Sequence, residues 1–214
     1  MQIKPSEVKP RDFYRILISA VAPRPIAWVS TISKDGVPNL APFSFFNVVC
    51  GTPPMLGFSP GRRAKEICEA LGSPLKDTLQ NIRDTGEFVV AVVTHDLAER
   101  MNLTAQDCDA SIDEFKLGGV APRASSVVRP AQVAESPVNF ECQVRHILDL
   151  GSETSGSSLV IGEVVSATLA DSVLVDGKID GALLDLVGRM GGNQYSRTTD
   201  RFDLARPPLL APQK

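Results

Sequence analysis

The sequence lacks the short motifs that mark the commonest catalytic and nucleotide-binding sites. It contains no G-x-S-x-G nucleophile elbow, no G-x-x-x-x-G-K-[ST] phosphate loop and no G-x-G-x-x-G dinucleotide fingerprint. Its four cysteines lie far apart without C-x-x-C spacing, and its two histidines are too few for a three-histidine metal site. Hydrolase, ATPase and Rossmann functions are therefore unsupported, and we predict no metal site and no dithiol redox centre.

Basic stripes and long apolar runs are also absent. The formal charge is −3 and the lysines and arginines are scattered, which argues against nucleic acid as a partner. The N-terminal residues lack the apolar core of a signal peptide, and runs such as "FVVAVV" (88–93) are too short to span a bilayer. We therefore expect a cytoplasmic protein with no membrane partner. With 214 residues and no linker-like tract, one domain over 1–214 is the simplest organisation.

What is present is a series of strand signals. "IAWVSTIS" (26–33), the turn "KDG" (34–36) and "VPNLAPFSFFNVV" (37–49) predict a β-hairpin. Pro38 and Pro42 cannot donate backbone hydrogen bonds, so the second strand should begin irregularly, lie at a sheet edge or carry a bulge. Further strands are predicted over 53–59 and 88–93. The two longest candidates, 138–151 and 157–175, should pair as an antiparallel hairpin.

Helical signals are few and short. Helices are predicted over 60–72, 73–88 and 94–105, with Gly72 and Gly86 ending the first two. Asp77 with Gln80, and Asp96 with Glu99, have the spacing of capping boxes. The stretch 106–137 reads as an irregular excursion, either packed over the domain or a mobile flap, and an extended tail without a regular helix follows residue 185. At least six strands predict a mainly β, antiparallel, closed or partly closed barrel with helices over its openings.

Two segments carry residues suited to an anionic or aromatic ligand. In "PLKDTLQN", the start of a helix places free N–H groups, the Thr78 hydroxyl and the Lys76 charge together, although an ordinary capped helix explains the octapeptide alone more simply. In "FSFFN", strand alternation places Phe43 and Phe45 on one face, and it leaves Ser44 and Asn47 free to contact a ring edge. "GFSPGRR" adds Ser59 and two arginines, as a second anion site or as solvent-facing side chains.

Taken together, the blocks resemble a known family. "RPIAWVSTISKDGVPNLAPFSFFN", "PPMLGFS", "KDTLQNI" with "GEFVV", "ESPVNFEC", "LVIGEVV" and "GRMGGNQYSRT" occur in the order found in the flavin reductase-like, FMN-binding split-barrel family, which includes the flavoredoxin-like group. The resemblance covers about residues 14–200. It implies a six-stranded antiparallel Greek-key split barrel with a few short helices, forming a homodimer that binds FMN near the subunit interface.

The resemblance also implies site residues, carried over by position. Along the isoalloxazine and ribityl parts, largely through backbone groups, it places Ser44, Phe45, Phe46, Asn47, Phe58 and Ser59. Near the phosphate it places Lys76 and Thr78. Tyr195 and Arg197 would complete the pocket from the tail, with surface or interface packing as an equal alternative.

The function that the resemblance implies is an NAD(P)H-dependent flavin reductase. Nicotinamide would pass hydride to flavin N5, and the reduced flavin would serve a downstream electron acceptor or oxygenase. Because the chemistry belongs to the flavin, no catalytic side chain is expected. Two alternatives stay open: an FMN-binding electron carrier or sensor without efficient NAD(P)H turnover, and a small FMN-dependent oxidase.

Overall fold

A computed structural model of the chain describes residues 1–209. The strands are β1 (Ala27–Ile32), β2 (Pro38–Phe43), β3 (Phe46–Gly51), β4 (Pro54–Phe58), β5 (Glu87–Ala91), β6 (Pro122–Arg123), β7 (Gln132–Val133), β8 (Val138–Leu150), β9 (Ser157–Leu169), β10 (Leu174–Val175), β11 (Lys178–Ile179), β12 (Val187–Arg189) and β13 (Tyr195–Arg197). The helices are α1 (Pro10–Ala20), α2 (Lys65–Leu71), α3 (Asp77–Thr85), α4 (Ala98–Leu103), α5 (Glu114–Gly118) and α6 (Gly181–Leu184).

One antiparallel sheet of seven strands dominates the fold, in the order β2-β1-β5-β8-β9-β4-β3. Both predicted hairpins are confirmed: β1 pairs with β2, and the 13-residue strands β8 and β9 pair along their length. The strand predicted over 157–175 ends at Leu169, and a 3-10 turn over Asp171–Val173 separates it from the short strand β10. β2, which carries Pro38 and Pro42, lies at an edge of the sheet, where a missing N–H costs no ladder bond on the outer side.

The strand predicted over 37–49 is in fact two strands, and the sheet has seven strands where six were expected. β2 ends at Phe43 and β3 begins at Phe46, so the break lies at Ser44 and Phe45 and not at either proline. β2 and β3 form the two edges of the sheet and do not pair with each other. The barrel is therefore not closed by a ladder, although only two residues of chain separate its edges.

The core covers both faces of the first strand. Trp28 and Ile26 pack into one apolar cluster with Met101 of α4 and Phe115 of α5. Ala27 and Val29, which alternation directs to the opposite face, pack into a second cluster that contains Leu79 and Ile82 of α3. The helices thus cover the sheet on two sides, which explains why β1 is buried almost throughout.

The three predicted helices are confirmed with shorter bounds, as α2, α3 and α4, the last preceded by a short 3-10 turn over His95–Leu97. Gly72 and Gly86 end the first two in the left-handed conformation, each at φ 73°. Neither capping box forms, because the N-cap residues of α3 and α4 are Lys76 and Leu97 and neither makes a side-chain cap hydrogen bond. α1, α5 and α6 are helices that the sequence analysis does not predict.

The 106–137 segment contains α5 and the small β6–β7 hairpin and is otherwise irregular. It packs over the sheet, with Phe115, Val128 and Val133 buried. After β13 the chain has no further helix or strand up to Leu209, and the end of the predicted tail, 210–214, lies outside the described residues. Within 1–209 no helix has both the length and the apolarity needed to cross a membrane.

Candidate functional site

A cavity of about 210 Å³ lies beside the break between β2 and β3, and we call it the strand-end cavity. Ser44 lines it from the break and Tyr195 lines it from β13. It is completed by Tyr14, Ile18, Arg24, Ile26, Pro42, Met101, Ala105, Arg189, Met190 and Gly192. The structure therefore brings together one predicted residue from the hairpin and one from the tail, which are 151 positions apart in sequence.

Arg24 holds the wall of the strand-end cavity in place. Its side chain is buried and donates to the carbonyl oxygens of Ile18 and Val21 at 2.6 Å each, and to that of Met190 at 3.0 Å. A guanidinium at the C-terminal end of a helix also complements the helix dipole, here that of α1. The same group lies 5.9 Å from the centre of the Phe45 ring. Arg24 thus joins α1, the strand break and the Met190 loop.

The aromatic residues of "FSFFN" and its neighbours divide into core and surface. Because the chain breaks at Ser44 and Phe45, Phe43 is buried while the Phe45 ring is 44% exposed, so the expectation that these two share a face is wrong. Phe46 is half-buried against the core. The Phe58 side chain is fully buried, with its ring centre 5.2 Å from that of Phe43. Only its backbone is left for a ligand.

Ser59 and Asn47 lie next to the cavity without lining it. The Ser59 N–H donates to the Phe45 carbonyl at 2.8 Å, which fixes the strand break. Asn47 is exposed on the edge strand β3, and its Oδ1 accepts from the Val48 N–H at 2.8 Å. Ser59 is thus a positioning contact, whereas the Asn47 side chain is engaged with its own backbone.

The two predicted tail residues have different surroundings. The Tyr195 hydroxyl is hydrogen-bonded to Arg189 and donates to Asn102 Oδ1 at 3.3 Å, and the Arg189 guanidinium lies 4.6 Å from the ring centre. Arg197 pairs with Asp185 at 2.5 Å, and this hydrogen bond holds the pKa of Asp185 below its ordinary value. Arg197 does not line the strand-end cavity.

Lys76 and Thr78 line a second and narrower site, which we call the cationic cleft. Its other lining residues are Asn39, Ala41, Arg63, Asp77, Gln106, Asp107, Cys108 and Glu114. Lys76 pairs with Asp107 at 3.1 Å. Arg63 is buried, donates to Asp77 Oδ2 and to the Leu75 carbonyl at 2.5 Å each, and keeps a buried Nε–H without a hydrogen-bond partner.

The cleft is backed by a buried hydrogen-bond network. Asn39 Oδ1 accepts from the Thr78 hydroxyl at 2.7 Å, while its Nδ2 donates to Glu114 Oε1 at 2.7 Å. The Thr78 hydroxyl therefore donates to Asn39 and is not free for a ligand. The group that Thr78 can offer to an anion is its backbone N–H in the first turn of α3. Burial raises the pKa of Glu114 despite the hydrogen bonds it accepts, and burial with the adjacent Glu114 charge raises that of Cys108 to about 11.

The strand-end cavity and the cationic cleft are neighbours. Along β2, Asn39 and Ala41 line the cleft, while Pro42 and the following Ser44 line the cavity. After α4, Ala105 lines the cavity and the next residue, Gln106, lines the cleft. An elongated ligand with an apolar ring at one end and an anion at the other would therefore lie along the end of β2.

Sequence reasoning missed Arg24, Arg63, Arg189 and Glu114. For Arg63 there was a signal, since "GFSPGRR" carries two arginines at a strand-to-helix junction, but the solvent-facing alternative is wrong because Arg62 and Arg63 are both largely buried. Arg24 and Arg189 lie inside two of the quoted blocks, at the start of "RPIAWVSTIS" and in "GRMGGNQYSRT", but neither was named as a site residue. No comparable motif marks Glu114, which reaches the cleft from the irregular 106–137 segment. Among residues 1–209 no group of three or more metal-ligating side chains is placed to hold an ion.

Comparison with known proteins gives one family. The profile of the flavin reductase like domain matches residues 19–190. A curated relative, an uncharacterized protein of Halalkalibacterium halodurans, is 38% identical over 211 residues, which are 98% of either chain.

Solved structures agree with the fold. Nitrilotriacetate monooxygenase component B from Bacillus cereus is similar with a TM-score of 0.87 and 30% identity, over 95% of this chain and 98% of that one. The 2-nitrobenzoate 2-nitroreductase of Pseudomonas fluorescens gives 0.84 and 29% identity over 99% and 98%. A split-barrel protein of the flavin reductase type from Shewanella frigidimarina gives 0.76 at 23% identity over 98% and 100%, and it supports the fold alone.

Proposed function

Because this chain belongs to the flavin reductase-like family, we propose that it binds FMN along the end of β2 and reduces it with NAD(P)H. The observation that carries the proposal is the juxtaposition of the strand-end cavity and the cationic cleft. A flavin mononucleotide has the same two parts, a flat apolar ring and a phosphate dianion. No Rossmann loop is needed for such a ligand, which agrees with the absence of that motif.

The residues of both sites fit this ligand in chemical type. The cleft offers the Lys76 ammonium, the N-terminus of α3 and the buried Arg63 Nε–H that lacks a partner, all of which are donors to phosphate. The cavity combines the aromatic and aliphatic side chains of Tyr14, Ile18, Ile26, Met101, Met190 and Tyr195 with the polar groups of Arg24, Ser44 and Arg189, so it offers both contact surface for a ring and partners for its polar edge. Bound there, a flavin supplies the hydride chemistry that this chain has no side chains to perform.

Within that arrangement each residue has a physical task. Arg24 fixes the cavity wall by joining the end of α1 to the Met190 loop through three backbone carbonyls. The Ser59 N–H holds the Phe45 carbonyl at the strand break. Arg189 and Tyr195 close the tail side of the cavity as a stacked pair. Phe45 and Tyr14, whose ring centres are 6.3 Å apart, form an apolar border at the opening.

The purified protein tests the proposal directly. We expect it to bind added FMN, seen as quenching of flavin fluorescence and a rise in melting temperature with ligand concentration, and to consume NADH or NADPH catalytically in the presence of FMN. Consumption should depend on flavin and should continue anaerobically while an artificial electron acceptor is present.

Three other outcomes separate the alternatives. Binding of FMN without NAD(P)H turnover indicates an electron carrier or sensor. Product formation that requires oxygen and an added small substrate, without loss of NAD(P)H, indicates an oxidase. If FMN causes neither fluorescence quenching nor a rise in melting temperature, all three functions are ruled out.

We also propose that the functional unit is a homodimer with the partner copy packed on α1. This helix is amphipathic but has no buried residue, and Leu17 and Val21 are about half exposed beside the exposed Phe45 ring. An apolar patch of this kind on one chain is typical of an interface. The strand-end cavity, at about 210 Å³, is also smaller than the 300 Å³ or more of a usual ligand pocket, so a second chain would supply the missing wall.

Leu17→Glu should convert the dimer into a monomer, because it places a charge in the apolar face of α1. Light scattering coupled to gel filtration measures this as a halving of the molar mass. Arg15→Glu is the matched control, since Arg15 lies on the same helix with a mostly exposed side chain, and it should leave the mass unchanged. A wild-type protein that elutes as a monomer at all concentrations contradicts the proposal.

We also propose, from the same family membership, that the reduced flavin is passed to a separate oxygenase. The similar Bacillus cereus protein is component B of a monooxygenase. A reductase that releases reduced flavin would serve a separate oxygenase component of that kind.

A further inference from the structure

The charges of the cationic cleft are not those of a site prepared for an anion. Two cations, Arg63 and Lys76, face three carboxylates, Asp77, Asp107 and Glu114. Asp77 is tied to Arg63 at 2.5 Å, and Glu114 is held by Asn39 and the Leu40 N–H. Asp107 differs from both, because its carboxylate lies between the two cations.

The position of Asp107 is that of a bound anion. Its Oδ1 lies 3.1 Å from Lys76 Nζ and 3.9 Å from Arg63 Nε, the buried donor that has no hydrogen-bond partner. The hydrogen bond from Lys76 is the only one made by the Asp107 side chain among residues 1–209. The carboxylate therefore occupies the position that the proposed function gives to the flavin phosphate, and its hydrogen bond from Lys76 is the main contact that holds it there.

The size of the cleft also indicates that Asp107 would have to move before an anion could enter. Its volume is about 20 Å³, which is room for about one water molecule and not for a phosphate group. Of the groups around it, Arg63, Thr78 and Glu114 are buried and held by other contacts, whereas Asp107 lies on the irregular segment between α4 and α5 and is about one-third exposed. Asp107 is the carboxylate that can leave without breaking the sheet or a buried network.

We propose that Asp107 is an internal competitor for the flavin phosphate, which occupies the cationic cleft in the flavin-free protein and lowers flavin affinity. The inference rests on the proposed FMN site. Phosphate and carboxylate cannot share the two cations without strong like-charge repulsion, so flavin entry displaces Asp107 and flavin departure is assisted by its return. A built-in competitor favours a flavin that exchanges over one that is permanently held, which suits a protein that passes reduced flavin to a partner.

Asp107→Asn tests this with flavin binding as the readout. The substitution keeps the shape of the side chain and removes its charge, so we expect the Kd for FMN to fall by about tenfold or more, mostly through slower dissociation. Riboflavin, which lacks the phosphate, should bind wild type and variant equally. The Kd values for FMN and riboflavin are measured by fluorescence quenching. The FMN dissociation rate is measured by stopped-flow mixing with an excess of a flavin-free protein that binds the released FMN tightly.

Asp109→Asn is the matched control. Asp109 lies two residues away in the same segment and loses the same charge, but within 1–209 its carboxylate accepts hydrogen bonds only from Ser111. An equal gain in this control, or an unchanged or weaker FMN Kd in Asp107→Asn, overturns the inference while wild-type FMN binding leaves the proposed function standing. Absence of FMN binding to wild type overturns both.

Discussion

Glu141→Gln is expected to lower the free energy of unfolding by about 3–4 kcal/mol, because it disrupts a fully buried and fully paired carboxylate. Oε1 accepts from the Ser126 N–H and hydroxyl and from Gln132 Nε2, each at 2.9 Å. Oε2 accepts from the Val127 and Val128 N–H groups at 2.6 and 3.1 Å. A glutamine would turn an NH₂ group toward some of these donors and leave them unpaired.

The residue ties the 106–137 segment to the sheet, since Glu141 belongs to β8 and its backbone donors belong to the loop between β6 and β7. Burial opposes ionisation of this carboxyl, but the hydrogen bonds from Ser126, Val127 and Val128 outweigh burial and hold its pKa below the ordinary value of 4.5. Because the pKa of Glu141 is lower in the folded than in the unfolded state, its ionisation stabilises the fold at pH values above the unfolded-state pKa. This contribution is lost as the pH falls through the folded-state pKa. The difference between wild type and variant should therefore be complete at pH 7 and shrink below about pH 4.

Thermal and urea unfolding at pH 7 measure the change. For a chain of this size the melting temperature should fall by about 6–16 °C. Glu163→Gln is the control: Glu163 pairs with Arg145 at 2.8 Å near the surface of the same hairpin, and its loss should cost less than about 1 kcal/mol. Equal effects for the two variants would show that the loop does not depend on Glu141.

Arg63→Met should raise the Kd for FMN about 30-fold to 100-fold, with little effect on riboflavin, if Arg63 contacts the flavin phosphate. A hydrogen bond to a charged group contributes about 1.5–3 kcal/mol, and this site adds the full guanidinium charge in a buried setting. The ratio of the FMN and riboflavin constants isolates the phosphate, because any damage to the ring pocket affects both ligands.

Arg62→Met provides the control for damage to the fold. Arg62 is adjacent in sequence and equally buried, but it donates to Ser158 at 3.0 Å and Asp149 at 3.1 Å and lines a different cavity. Both variants should lose some stability. A similar rise in the FMN constant for both, or an unchanged FMN-to-riboflavin ratio in Arg63→Met, would remove Arg63 from the phosphate site.

Much of the fold follows from local patterns. The β1–β2 and β8–β9 hairpins are encoded by β-branched runs and turn residues, and Gly72 and Gly86 end their helices because each adopts a positive φ. The strand break at Ser44 and Phe45 was not predictable in this way, since "FSFF" has good strand propensity throughout. It arises because the chain passes from one edge of the sheet to the other at that point, a property of the whole sheet.

The functional residues divide in the same manner. Ser44, Tyr195, Lys76 and Thr78 were predicted by resemblance and do line the two neighbouring sites, although the Thr78 hydroxyl is used internally. Phe58, which the resemblance places at the flavin largely through its backbone, has a core side chain, because β4 lies next to β9 inside the sheet and the ring meets Phe43 and Phe88. Alternation predicts the face on which a residue lies, but not whether that face is covered.

The sequence by itself determined the family, the antiparallel β character and two of the segments that line the strand-end cavity and the cationic cleft, because each depends on residue types at short spacing. Only the tertiary structure decided which charges share the cationic cleft. Arg63, Lys76, Asp107 and Glu114 come from four different segments, and their effect on an anion depends on distances of a few ångströms across the packed interior. Coulomb energy varies with separation and burial, and neither can be read along a chain.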